Sequence, residues 1–211
     1  DQLRQKNRSI ARQRHINGVH TLQRINEVIE QKSPLFLAFN VKFFEQDPTK
    51  ILQIGYVVFS LESEQDGENY HLFLVKENVP LLNNNTQLES YDVSLFRSAE
   101  VARLTDIITK LQEDVSHVDF LITHSTSSED IRSFLKSQGL QEEHKEIIDT
   151  LTLHSALFPD SRKNNSIEDI LMKLEIPCEI RKLQNAGYNA FYIMKIFLSL
   201  LKQDYCEYPK L

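Results

Sequence analysis

The sequence predicts one α/β domain: a mixed sheet in which an antiparallel three-strand meander is followed by parallel strands, with helices on both faces and an additional N-terminal helix. Two observations predict it. Three runs rich in β-branched and aromatic residues precede residue 78, and after residue 98 helix-like and strand-like runs alternate. A chain of 211 residues holds one such core with an extra terminal element, and is short for two domains.

From Arg8 to Gln31, Ile10, Ile16, Val19, Leu22, Ile25 and Ile29 recur every three or four residues, an amphipathic helix whose stripe packs on the body or on a partner. Ser33-Pro34 ends it, because the residue before proline leaves the α region. Strands are expected over Leu35 to Phe44, Ile51 to Leu61 and Tyr70 to Glu77. Turn signals at Asp47-Pro48-Thr49-Lys50 and Asp66-Gly67 join them as a meander. Asn78 to Phe96 lacks periodicity and reads as a surface loop. A capped helix then runs from Ser98 to about Asp114, a strand over Phe120 to Thr123, and a helix from Ser127 or Ser128 to Gly139. A strand over Glu146 to Asp149 follows, then helices over Leu151 to Phe158, Ser166 to Leu174 and Ala186 to Lys202. This is the RNase H-like order. The implied organisation is an N-terminal helical extension over 1–33, the domain over 34–205 and a tail over 206–211.

The net charge of −6 is uneven, since residues 1–32 hold seven Lys/Arg against three Asp/Glu and leave −10 on the rest. An acidic body argues against strong non-specific nucleic-acid binding, although the leading segment can supply a local phosphate contact. Cys178 and Cys206 form neither a disulfide framework nor a zinc spacing, so free thiols in a reducing compartment are expected. Without a long apolar run or a secretory leader, a nuclear or cytoplasmic protein off the membrane is expected. The start at Asp1 suggests a piece of a longer protein.

Three strings carry a more specific signal. Leu37 to Glu45, with Asn40 and Lys42 two residues apart, resembles the first exonuclease motif, a strand bearing an Asp-x-Glu pair. His124 to Asp130 resembles the second, where a strand-to-helix corner supplies an Asp. Leu183 to Ala190 resembles the third, which in active relatives reads approximately His-Asn-Ala-Gly-Asn-Asp-Ala. With Val75 to Asn78 and Ile148 to Thr150, these strings resemble the DEDDh exonucleases, and within them the fungal "Great for Full DEAD-box protein activity" branch, over about Pro34 to Leu201.

What the resemblance implies for activity is undone by the residues at its key positions. A two-metal nuclease needs anionic oxygens around two divalent ions. The first motif's carboxylates match Asn40 and Lys42, the general-base His matches Gln184, and the last metal-ligating Asp matches Asn189. Only the second motif keeps an acid, Glu129 or Asp130. An ammonium about 4 Å from a divalent ion is repelled by roughly 8 kcal/mol at an effective dielectric near 20. Gln184 cannot take a proton from water near neutral pH. Loss of the ancestral magnesium or manganese site, and no cofactor, are therefore expected. Asp-to-Asn is also the change used to silence nucleases, but Lys42 and Gln184 are not such changes, which favours natural loss.

Two arrangements are open for Lys42: it sits where a metal sat and pairs with Glu129 or Asp130, or it reaches solvent. His124 and His154 read as structural and Asp149 as a helix cap. Ser125, Ser127 and Ser128 lack a nucleophile elbow. Phe43, Phe44, Tyr188 and Tyr192 could stack bases but have the spacing of core or groove wall. Three function classes result: a protein-interaction pseudonuclease, an inert single-stranded RNA-binding module using Lys42, Lys76, Arg132 and Arg181, and a surviving 3′–5′ exonuclease. The acidic body favours the first. So does the helix stripe of Ile16, Val19, Leu22, Ile25 and Ile29, a candidate surface for a protein partner or a second copy.

Overall fold

The computed structural model describes residues 2–62, 69–82, 99–124, 128–140, 145–158 and 166–203, without the side chains of 2–4 and 128–132. Its strands are β1 (Phe36–Phe44), β2 (Asp47–Phe59), β3 (Tyr70–Val75), β4 (Glu100–Ala102), β5 (Phe120–Thr123) and β6 (Glu146–Asp149). They form one sheet in the order β4-β3-β2-β1-β5-β6. The helices are α1 (Gln2–Gln31), α2 (Val79–Leu82), α3 (Leu104–His117), α4 (Ser128–Ser137), α5 (Thr150–Leu157), α6 (Ile167–Lys173) and α7 (Ala186–Lys202). β1, β2 and β3 are antiparallel, whereas β5 runs parallel to β1, β6 parallel to β5, and β4 parallel to β3. The mixed α/β sheet with its N-terminal helix is as the sequence predicts.

Alternation along β1 divides the core. Phe36 and Ala38 face one cluster, built with α1, α5, α6 and α7, while Leu37 and Phe39 face the other, built with α3 and α4. Tyr56 ties β2 to α3 by donating its hydroxyl to Asp114 Oδ2 at 2.7 Å.

Several boundaries differ from expectation for local reasons. The chain reverses at Glu45 and Gln46, and the expected turn from Asp47 is the start of β2; Asp47 Oδ1 accepts from Thr49 N (3.1 Å) and Thr49 Oγ1 (2.6 Å), a turn-like side-chain contact inside a paired strand. β3 stops at Val75, because Lys76–Asn78 coil into a 3₁₀ turn. The segment expected to be a loop from Asn78 begins with α2, whose Leu82 is buried. Residues 100–102 pair with β3 where a helix from Ser98 was expected; three residues are too few to show a period of two. α4 closes on Gly139, which takes a φ of +75°, with Gly139 N bonded to Lys136 O and Leu140 N to Leu135 O. The Asp66-Gly67 turn and residues Ser125, Ser127 and Cys206 lie outside the described residues.

Of the two options for the α1 stripe, the body is the one observed. Leu22 and Ile25 are buried in the core cluster, with Val19 and Ile29 packed against it and Ile16 partly buried. The inner face therefore serves the fold. At Gly18 the helix approaches so closely that a Cβ would stand 3.0 Å from Ala156 Cβ, and buried His15 lies 3.2 Å from Ala156 O through its ring Nδ1. Arg24 pairs with Glu146 and Lys32 with Asp119 at the helix's other end. Because Ile25 is wholly buried, Ile25→Ala is expected to cost about 2–4 kcal/mol in guanidinium unfolding. An unmoved midpoint would show α1 to be a detachable appendage.

Candidate functional site

Asn40 and Lys42 sit two apart on β1 and continue the face that Phe36 and Ala38 turn toward α7. Across the ladder, Asn40 lies opposite Gly55 and Lys42 opposite Gln53 of β2. Above these four positions sits the first turn of α7, preceded by a 3₁₀ turn over Ile180–Gln184. Gly55 permits the approach. A Cβ there would stand 2.2 Å from Gly187 N and 2.3 Å from Ala186 C, closer than any side chain allows.

The free N–H groups of that first turn are all taken. Gln53 Oε1 accepts from Ala186 N at 3.0 Å, Asn185 Oδ1 accepts from Gly187 N at 2.8 Å and Tyr188 N at 3.2 Å, and Asn189 N bonds to Asn185 O. The backbone of this helix start therefore offers no free N–H to an anion, and the buried Asn185 Nδ2 is left without a hydrogen-bond partner among the described residues.

Asn189, one turn into α7, reaches down to β1. Its amide lies 3.2 Å from Asn40 Oδ1. Turned to satisfy its other neighbours, that amide donates to Leu183 O at 3.0 Å and accepts from Lys42 Nζ at 2.9 Å. Lys42 Nζ also donates to Leu183 O at 3.1 Å. Burial lowers the pKa of this ammonium from its ordinary value. The centre of the site is thus a cation held by amide and carbonyl dipoles.

Of the residues expected here, Asn40, Lys42 and Asn189 are brought together. Gln184 is exposed at the last position of the 3₁₀ turn. The side chains of Glu129, Asp130 and Arg132 lie outside the described residues, and with them the pairing of Lys42 to an acid. Lys76 and Arg181 are exposed on separate short turns. Tyr188 and Tyr192 are buried in the core rather than open to a base, whereas Phe43 is 41% exposed and packs edge-on against Phe134. Among the described residues, no three His, Cys, Asp or Glu side chains gather as a metal site.

The neighbouring strand ends are structural. Asp149 caps α5 by accepting from Leu151 N at 2.9 Å. His124 Nδ1 lies 2.9 Å from Thr150 Oγ1, which donates to Thr123 O. His154 is buried, its Nδ1 without a hydrogen-bond partner among the described residues, and burial together with the nearby Lys173 and His124 lowers its pKa to about 4. Sequence reasoning missed Gln53, Gly55 and Asn185. Asn185 carried a signal, as an Asn directly before an apolar helix.

Comparison with known proteins places the molecule in the DEDDh exonuclease superfamily. Residues 35–200 match the family described as DNA polymerase III subunit epsilon-like, C-terminal domain, and the chain belongs to that family. Among solved structures it is similar to SSB/exonuclease I in complex with the inhibitor CFAM, at 10% identity and a TM-score of 0.48 over 81% of this chain and 43% of that one. It is also similar to product-bound exonuclease I, at 11% identity and a TM-score of 0.49 over 81% and 45%. The chain thus spans less than half the length of either. No curated protein matches it in sequence.

Two measurements check the packing. Gly55→Ala is expected to destabilise by about 3 kcal/mol, since the Cβ meets backbone that cannot yield cheaply; a melting temperature within a degree of the parent would contradict the close approach. The depressed His154 pKa means that between pH 6.5 and 4 the unfolded chain binds a proton the native state refuses. Its stability is therefore full above pH 6.5 and lost as pH falls toward 4. His154→Leu is expected to flatten that part of the stability-against-pH curve, and an unchanged slope would assign it to other groups.

Proposed function

We propose that the chain is a catalytically inactive member of this family, a pseudo-exonuclease of the "Great for Full DEAD-box protein activity" branch that serves as a protein-interaction or scaffold module in an RNA-related nuclear or cytoplasmic complex. The observation that carries the reading is Lys42, whose half-buried ammonium bonds to Leu183 O and to the Asn189 amide beside Asn40.

A pair of divalent ions needs several anionic oxygens converging on it. Asn40, Lys42 and Asn189 offer two neutral amides and a cation, a donor set that does not fit such ions. Gln184 adds no proton acceptor near neutral pH. What this arrangement does well is hold α7 on the sheet, because the dipoles that would face a metal here face an ammonium instead. The acidic body supports a protein partner over a polyanion held against the domain face.

The test is a labelled single-stranded RNA or DNA incubated with magnesium or manganese. No shortening beyond the chelated control is expected, and chelator-sensitive cleavage would overturn the reading. Combining Asn40→Asp, Lys42→Glu, Gln184→His and Asn189→Asp is expected to produce a manganese-dependent rise in melting temperature absent from the parent. For the scaffold role, affinity capture uses the full chain, because removing residues 1–33 would strip Leu22 and Ile25 from the core. Partners that survive nuclease treatment support protein bridging, and partners lost with it argue for RNA.

A further inference from the structure

The N-terminal part of α1 has a chemistry unlike the rest of the molecule. From Gln2 to Asn26 the helix contains Arg4, Lys6, Arg8, Arg12, Arg14 and Arg24, and no Asp or Glu. Arg24 is paired with Glu146. Lys6, Arg8, Arg12 and Arg14 are exposed, and Gln5 before them and Asn7, Ser9 and Gln13 between them are all hydrogen-bonding groups.

Direction follows from the anchors. Lys32 meets Asp119 just before β5 and Arg24 meets Glu146 at the start of β6, while His15 lies against Ala156 of α5. Arg14 and Asn17 line a cleft of about 650 Å³ with Glu146 to Asp149 and α5, so α1 runs from the carboxyl ends of the parallel strands toward their amino ends. Residues before Arg14 therefore continue past the carboxyl ends of the parallel strands. At 1.5 Å per residue, the nine steps from Arg14 to Gln5 add roughly 14 Å. This is also the end of the sheet where Asn40 and Lys42 follow the β1–β5 pairing.

We infer that this projecting segment is a phosphate-binding arm that holds the backbone of a single-stranded nucleic acid without any part in cleavage. Three of the four exposed cations are Arg, whose planar fork matches phosphate oxygens two at a time. Arg8 and Arg12, one turn apart, place their Cβ atoms roughly 6 Å from each other on one side. A lipid surface fits poorly, because in residues 5–14 only Ile10 and Ala11 are apolar and an interfacial helix needs an apolar face. The acidic body confines a polyanion to the arm, since beyond about 8 Å at physiological salt charges are largely screened from one another. The arm lies outside the family match, which begins at residue 35.

The experiment is fluorescence anisotropy of a labelled oligouridylate and of a DNA of equal length, with the full chain in magnesium-free buffer. Four phosphate contacts on a single strand give a salt slope of about −3, so raising salt fourfold is expected to weaken binding roughly 50-fold. The triple reversal Lys6→Glu, Arg8→Glu and Arg12→Glu lies on exposed positions and is expected to lose at least about tenfold in affinity with the melting temperature kept. The pair Lys76→Glu and Arg181→Glu is expected to stay within about twofold. Absent or salt-insensitive binding overturns the arm, as does full binding by the triple variant or loss confined to the second pair. Preferential binding of polyglutamate or of phosphatidylserine vesicles over both oligonucleotides overturns the nucleic-acid assignment.

Discussion

The contact on which the candidate site depends is backbone against backbone. Gly55 has no side chain, so the first turn of α7 descends onto β2 until Gly187 and Ala186 fill the space a Cβ would take. That descent lets Gln53 reach Ala186 N and lowers Asn189 to the level of Asn40. It also presents Leu183 O to Lys42. A larger residue at 55 would separate the two elements and with them the polar groups they share.

The charge at the centre follows from that geometry. The Asn189 amide of α7 and the Leu183 carbonyl of the turn before it converge on one point, and convergent dipoles of one sign in a half-buried place need a counter-charge. A metal is one solution and an ammonium is another. Lys42 is supplied by the same strand as Asn40, so the cation is covalently built in, and its lowered pKa records the cost of burying it. The backbone donors of α7's first turn are taken by Gln53 from β2 and by the N-cap Asn185.

Much of the architecture was legible because its periods are long enough to read. β1 is a nine-residue run, mostly apolar, whose first four residues are buried on both sides of the sheet, and α1 keeps its apolar stripe over several turns. β4 was not legible, since three residues carry no period, and neither was the start of β2, where Asp47 and Pro48 imitate a turn. Asn40, Lys42 and Asn189 were legible only through the resemblance of their strings, because 149 residues separate the two asparagines that touch. Gln53 and Gly55 act through cross-strand register, which no local pattern encodes. Whether the α1 stripe would meet the body or a partner was undetermined by periodicity alone, and His15 and Gly18 against Ala156 show how closely the body takes it.

The strand order has a consequence for behaviour in concentrated solution. Among the described residues the sheet terminates in β4 and β6, which offer three and four residues to a neighbour, while the longest strands are enclosed at the centre. Short margins make poor templates for intermolecular pairing, and charged side chains near them, Glu100 on one and the Arg24–Glu146 pair on the other, discourage it further. The molecule can therefore keep a β-rich centre without inviting fibrillar stacking through its rims.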